Sequence, residues 1–229
     1  MSSIPVLTID GPSGSGKGSI TQMVAKHLGW HILDSGALYR LTALAAERGG
    51  VALDDAPALA LIARGLDIEF LASSEGEPVK VVLGGEDVSQ ALRLETTGNN
   101  ASKVALLTEV REALLQRQKD FRQGPGLVAD GRDMGTVVFP GSDLKFFLNA
   151  SVEVRSMRRF NEFKDQNRQS IGEVEADIRH RDKNDSTRAV APLRVAEDAI
   201  VVEATDLNVD QVVKTMLKHA RQKMSGVFE

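Results

Sequence analysis

Cysteine is absent from the 229 residues. Disulfides, thiolate metal sites and cysteine nucleophiles are therefore excluded together. Positive charge is not in excess either. A formal net charge of −4 gives no general attraction to nucleic acid or to an anionic membrane surface. No apolar run reaches the length of a membrane span, and the opening MSSIPVLTID lacks the charged-then-apolar pattern of a signal peptide. The chain is accordingly expected in the cytoplasm. Repeats of fixed period and low-complexity tracts are missing. So is the Asn-Lys-x-Asp order that reads guanine, since Lys183-Asn184-Asp185 has a different arrangement.

What is present is an alternation. Val6 to Ile9, Ile32-Leu33, Leu127 to Ala129, Phe146 to Leu148 and Ala199 to Val202 are short apolar runs that predict buried strands. Between them lie helical patterns such as Ile20, Met23, Val24 and Leu28, whose spacing of three and four makes one apolar face. This alternation predicts an α/β fold with a parallel sheet between helices. The length suits one compact domain with a smaller appendage. One region breaks the pattern. In LDIEFLASSEGEPVKVVLGGEDVS, Ile68 and Phe70 alternate with charged residues, a turn follows, and VKVVL leads into Gly84-Gly85 and EDV. That reads as a small antiparallel meander over 65–99, inserted into a core of 1–64 and 100–229. A second irregular stretch, Phe163 to Ser170, is a candidate flap.

The motif with most chemistry is VLTIDGPSGSGKGSI. Gly11, Gly16 and Lys17 have the spacing of the phosphate-cradling loop Gly-x-x-x-x-Gly-Lys-Ser/Thr, between a strand and a helix. The loop runs through Gly11, Pro12, Ser13, Gly14, Ser15 and Gly16; all but Pro12 carry a backbone N–H that can turn to phosphate, and the helix start adds a favourable dipole. Lys17 is the cation for the β- and γ-phosphates. Gly18 stands where the magnesium-binding hydroxyl is expected, and Ser19 supplies that hydroxyl one residue late. A glycine at this point permits close approach by another backbone or by a second substrate. A glycine-rich turn without a ligand is the alternative. Asp130 ends the strand in LVADGRDMG, where ligands gather in open α/β sheets and a carboxylate can orient hydrated magnesium. Capping the next helix is its other use.

Several arginines interrupt buried faces. A helix predicted over Ser102 to Phe121 carries Leu107 and Leu114 on one stripe, with Arg111 between them. A guanidinium there needs an anionic or hydrogen-bonding partner, unless it snorkels past the core edge. Ile171, Val174 and Ile178 form a face that continues through Arg181, Asp185 and Arg188. Either a ladder of surface ion pairs or a face entering a cleft accounts for that change. Arg155, Arg158 and Arg159 fall at i, i+3 and i+4. They form a solvated basic face or a clamp on transferring phosphates.

Four stretches in order, GPSGSGKGS, LDSGALYR, LVADGRDMGTVVFP and RDKNDSTRAVAPL, closely resemble the bacterial cytidylate kinases, which are nucleoside monophosphate kinases. The resemblance runs nearly end to end. It implies a three-layer P-loop core with five parallel strands, the meander as part of a monophosphate-binding domain, and a mobile lid over roughly 155–170. It implies ATP with Mg²⁺, held by the loop with Ser19 and Asp130, and CMP or dCMP as acceptor. By match to the family's motifs, Ser35, Arg111, Asp133 and Arg188 surround cytosine. Arg40 and Arg132 hold the 5′-phosphate, and Ser102, Arg181 and Asp185 meet the ribose. Lys17, Arg132, Arg158 and Asp130 are the expected catalytic set. A monomer, with neither nucleic acid nor membrane as partner, is expected. A kinase for another small acceptor and a nucleotide sensor without transfer activity are the competing readings.

Overall fold

The computed structural model describes residues 4–71, 80–162 and 170–224. The turn at the tip of the meander and most of the candidate flap lie outside the described residues. The described chain divides into two compact units, one formed by 1–33 and 121–229 and the other by Asp34–Asp120.

The first unit is built on β1 (Val6–Asp10), β2 (His31–Asp34), β6 (Leu127–Gly131), β7 (Leu144–Asn149) and β8 (Ile200–Glu203). They form one five-stranded sheet in the order β2-β6-β1-β7-β8. β1 runs parallel to both β6 and β7, with Ile9 opposite Asp130 and also opposite Phe146, and β8 runs parallel to β7. Every residue of β1 and β6 is buried. Central strands of a parallel sheet are covered on both faces and so are mostly apolar, here giving way to Asp10 and Asp130 only at their C-terminal ends. All five expected strands are present. Around them lie α1 (Lys17–Leu28), α6 (Val152–Glu162), α7 (Ile171–Thr187) and α8 (Val209–Lys223). The core of this unit joins Leu7, Ile9, Ile20, Val24, Phe146 and Leu148 to Val213 and Met216 of α8.

Local signals fix the helix ends. α8 begins at a capping box between Asn208 and Gln211, and α7 at one between Ser170 and Glu173. α1 ends on Gly29 in the left-handed conformation, with basic Lys26 and His27 in its last turn. A short π-helix, Met134–Val138, follows β6. Such turns are rare and gather at functional sites.

The second unit contains α2 (Ser35–Arg48), α3 (Ala56–Gly65), α4 (Glu95–Val104) and α5 (Thr108–Asp120), with a 3₁₀ turn at Ala91–Arg93. α2 packs against α3 and α4, and α3 against α5. The meander forms as expected: β3 (Ile68–Leu71), β4 (Lys80–Leu83) and β5 (Glu86–Asp87) make an antiparallel sheet. Gly84 and Gly85, at φ 57° and 82°, supply the two left-handed residues of the β4–β5 turn. The single helix expected over Ser102 to Phe121 is two helices. α4 stops at Val104, and α5 starts afresh at Thr108 with acidic Glu109 in its first turn. Ser102 and Arg111 therefore stand on different helices.

Candidate active site

The phosphate loop grows from the C-terminal end of β1. At Gly11 any Cβ would overlap the main-chain carbonyl oxygen of Leu148 in β7, so no side chain fits. Gly14 has φ 73°, and its Cβ would press on the backbone of Arg155. Gly16 has φ 95° and is the N-cap of α1, where no side chain caps the first turn. The amides at this helix start are thus left for an anion. Gly18 and Ser19 are exposed, and nothing described lies within 4 Å of a Cβ built on Gly18. Close approach by another backbone is therefore not the reason for glycine there among the described residues.

Lys17 is buried, and its Nζ donates to the carbonyls of Gly11 (2.8 Å) and Pro12 (2.7 Å) and to Ser15 Oγ (3.2 Å). Burial and the nearby Arg132 guanidinium bring its pKa down to about 7, against the opposing pull of Asp130, Asp185 and Asp10. A desolvated amine so disposed is poised to gain a polyanion as partner. Asp130 is buried at the end of β6. The donor set suits magnesium. It offers one exposed hydroxyl at Ser19 and one carboxylate at Asp130, and the described residues contain no cluster of three or more His, Cys, Asp or Glu to form a protein cage. Magnesium keeps most of its waters and takes one or two carboxylates plus phosphate oxygens.

Beyond β6 lies an ion-pair network. Arg132 Nε donates to Asp185 Oδ2 at 2.6 Å. Burial opposes the charge on Arg132, but Asp185, then Asp130 and Asp182, more than offset it and hold the guanidinium above its ordinary pKa. Asp133 Oδ1 lies 3.5 Å from Arg188 Nη2, and Asp185 Oδ1 lies 3.9 Å from Arg188 Nη1. Arg188 Nε donates to the carbonyl of Ala191 at 2.5 Å, and Ala191 itself sits at φ 49°. Arg181 is buried one helical turn before Asp185. The face that runs from Val174 and Ile178 into Arg181, Asp185 and Arg188 is thus one that leaves the core for a charged network, not a solvated ladder.

The three arginines of α6 part company. Arg155 is buried, with Nε on the Ala150 carbonyl (2.9 Å), Nη1 on the Ser13 carbonyl (2.8 Å), and both Nη atoms on Asp182 (3.1 and 2.6 Å). Arg158 donates to the carbonyls of Ser15, Ala204 and Leu207 (3.3, 2.7 and 3.2 Å). Arg159 pairs with Glu162 at 3.2 Å. Two of the three therefore grip the phosphate loop through its carbonyls.

In the second unit, Asp34 caps α2 by accepting from Ala37 N. Ser35 is buried and donates to Gln118 Oε1 at 2.8 Å. Arg40 Nη1 donates to the Leu92 carbonyl at 2.6 Å, and Ser102 Oγ to the Gly98 carbonyl at 3.1 Å. Arg111 is buried on the core face of α5, its guanidinium carbon 5.7 Å from the centre of the Tyr39 ring, with Nη1 on the Ala105 carbonyl. A cation–π contact and a carbonyl are the partners its position demanded. Tyr39 and Gln118 had no distinguishing sequence pattern. Asp10 and Asp182 each had one: a carboxylate at a strand end beside the phosphate loop, and one beside Arg181.

The comparisons with known proteins agree with one another. A family model described as cytidylate kinase matches residues 7–222. A cytidylate kinase of Aeromonas salmonicida (strain A449) is 53% identical over 221 residues, covering 96% of this chain and 95% of that one. One from Shewanella sp. (strain MR-4) is 51% identical over 223 residues, with 97% of both chains covered. Among solved structures, a gluconokinase from Sinorhizobium meliloti 1021 aligns with a TM-score of 0.51 at 14% identity, covering 100% of this chain and 98% of that one. That last likeness supports the fold alone. On the extent and identity of the full-length matches, the chain belongs to the cytidylate kinase family.

Proposed function

We propose that the protein transfers the γ-phosphoryl group of ATP to CMP and dCMP, giving ADP and CDP or dCDP. Family membership makes it a nucleoside monophosphate kinase, a phosphotransferase. The observation that carries the reading to the residues is the network of Arg132, Asp185, Arg188 and Asp133 beside the buried Lys17. Acidic and basic groups held this way fit a polar base, a ribose and a phosphate better than an apolar metabolite.

In the proposed division, the loop from Gly11 to Ser19 binds the ATP phosphates. Ser19 and Asp130 would hold magnesium, which would supply charge neutralisation at the phosphoryl oxygens. Ser35, Arg111, Asp133 and Arg188 bind cytosine, Arg40 and Arg132 its 5′-phosphate, and Ser102, Arg181 and Asp185 the ribose. Asp133 accepts from the exocyclic N4 amine that cytosine has and uracil lacks. An oxygen of the CMP phosphate attacks the γ-phosphorus as the bond to the ADP oxygen breaks. That nucleophile is already ionised near neutral pH, so no strong general base is required, and catalysis is positioning plus charge neutralisation by Lys17 and Arg132. Arg158 acts on this step by holding the Ser15 carbonyl, and so the curvature of the loop. The meander over 65–99 is proposed to serve the monophosphate, and 155–170 to act as a lid that excludes water from transfer. We further propose that the protein works as a cytoplasmic monomer; no helix among the described residues is long and apolar enough to cross a membrane.

The test of the division is Asp133→Ala, with kcat/KM measured for CMP and UMP. A good base contact is worth about 1–3 kcal/mol, so the preference for CMP should fall roughly tenfold to hundredfold. Undiminished preference removes Asp133 from base recognition.

A further inference from the structure

Asp10 has no part in the division above, yet it is among the most buried carboxylates of the chain, at 4% exposure. It ends β1, directly before Gly11. Its two oxygens each accept one main-chain N–H: Oδ1 from Met134 and Oδ2 from Gly135, both at 2.8 Å. Those are the first two residues of the π-helix, and the residue before them is Asp133.

A helix start is ordinarily satisfied by its own N-cap side chain. Aspartate is one of the best residues for the purpose, accepting from the N–H two or three positions on. Asp133 is the N-cap here, and its side chain makes no capping bond. The capping is done from a distant strand. Its own carboxylate is thereby turned to Arg188, 3.5 Å away. The backbone just beyond it is pinned from a second side. A Cβ on Gly135 would lie 3.0 Å from Thr8 Oγ1 and 3.1 Å from Lys145 Cδ, closer than side chains ordinarily tolerate. Asp10 and that close packing leave the start of the π-helix little room to shift.

We infer that Asp10 is a positioning residue for base selection: by capping the π-helix in place of Asp133, it holds the Asp133 carboxylate in the direction that distinguishes cytosine from uracil. The inference rests on the proposed role of Asp133. It gives a reason for a costly feature, since burial and the neighbouring Asp133 push the Asp10 carboxyl up to about 6 despite two good hydrogen bonds. It also ties the strand that leads into the ATP loop to the segment that reads the acceptor base.

The test is Asp10→Asn, with Gly135→Ala and Asp133→Ala measured beside it. Asparagine has the same shape but one acceptor oxygen, so its amide N–H₂ faces a main-chain N–H and one bond is lost. Gly135→Ala presses on the same backbone and leaves the Asp10 carboxylate chemically intact, its Cβ lying 3.4 Å from Asp10 Oδ2, an ordinary contact. The ratio of kcat/KM for CMP over UMP, with one ATP concentration throughout, cancels any change in the donor site. Small displacements of a positioned group cost up to about a hundredfold, so both variants should lower the ratio by roughly tenfold or more. The loss should arise mainly in KM for CMP, and Asp10→Asn added to Asp133→Ala should lower the ratio no further. Amide exchange at Met134 and Gly135 should quicken in Asp10→Asn. If Asp133→Ala loses selectivity while Asp10→Asn and Gly135→Ala lose CMP and UMP activity equally, Asp10 is structural only and the inference fails alone. If Asp133→Ala retains selectivity, the reading of Asp133 fails and the inference with it.

Discussion

The pair formed by Arg155 and Asp182 gives an unequal prediction. The two side chains share a bidentate contact, but Arg155 is 4% exposed and Asp182 is 23% exposed. Asp182→Asn leaves a guanidinium charge in a place water barely reaches. Breaking a buried pair in this way costs about 3–5 kcal/mol. Arg155→Met leaves the carboxylate instead, and Asp182 can take up water at its exposed edge. The remaining loss is the two donors to the carbonyls of Ser13 and Ala150, a net cost of about 2 kcal/mol. The double variant should sit close to Arg155→Met, because the charge stranded by Asp182→Asn has gone. Chemical denaturation of the four proteins measures these values. In heat, the melting temperature should fall by about 2–4 °C per kcal/mol, and so furthest for Asp182→Asn. If Arg155→Met is the more damaging single variant, or the two costs add in the double variant, the assignment of the buried charge is wrong.

Other expectations follow from the same geometry. Lys17→Met should lower turnover by roughly 10²–10³-fold while moving the CMP dissociation constant by less than about threefold. It should also raise the melting temperature, because the buried amine is held against the cost of its own desolvation. Gly11→Ala should prevent stable folding, since its Cβ meets the Leu148 backbone, whereas Gly18→Ala should leave the melting temperature unchanged. Any activity lost in Gly18→Ala then reports on a substrate, measured as KM for ATP and for CMP. The raised Asp10 carboxyl gives a pH dependence of definite sign. Between 3.8 and about 6 the folded chain binds more protons there than the unfolded chain. Wild type should therefore lose stability relative to Asp10→Asn as pH rises through that window, by up to about 3 kcal/mol, and the difference should be flat above it.

The sheet was legible in the sequence because parallel central strands are buried on both faces, which leaves short, mostly apolar runs such as VLTI and LVA. The phosphate loop was legible because its glycines answer to hard sterics, at Gly11 above all. The break between α4 and α5 was missed because the apolar stripe counted Leu107, which lies in the connection, as part of one helix. The stripe still placed Arg111 correctly, since Val110, Ala113 and Leu114 bury that face of α5. The arginines of α6 could not be sorted by spacing. Arg155, Arg158 and Arg159 differ through their partners Asp182, Leu207 and Glu162, and only the second and first of these require the fold to bring distant segments together. The role of Asp10 was hidden for a related reason. Its partners are main-chain N–H groups 124 and 125 residues away, and a backbone donor carries no sequence signature.

The most direct measurement is ADP release from ATP and Mg²⁺ with CMP, dCMP, UMP, AMP, GMP or no acceptor. Fast release with CMP and dCMP, slight release with UMP, and almost none without an acceptor would establish both cytosine selection and the exclusion of water. Faster release with another acceptor would contradict the roles given to Asp133 and Arg188. Silence with every acceptor, alongside measurable ATP binding, would contradict phosphoryl transfer itself.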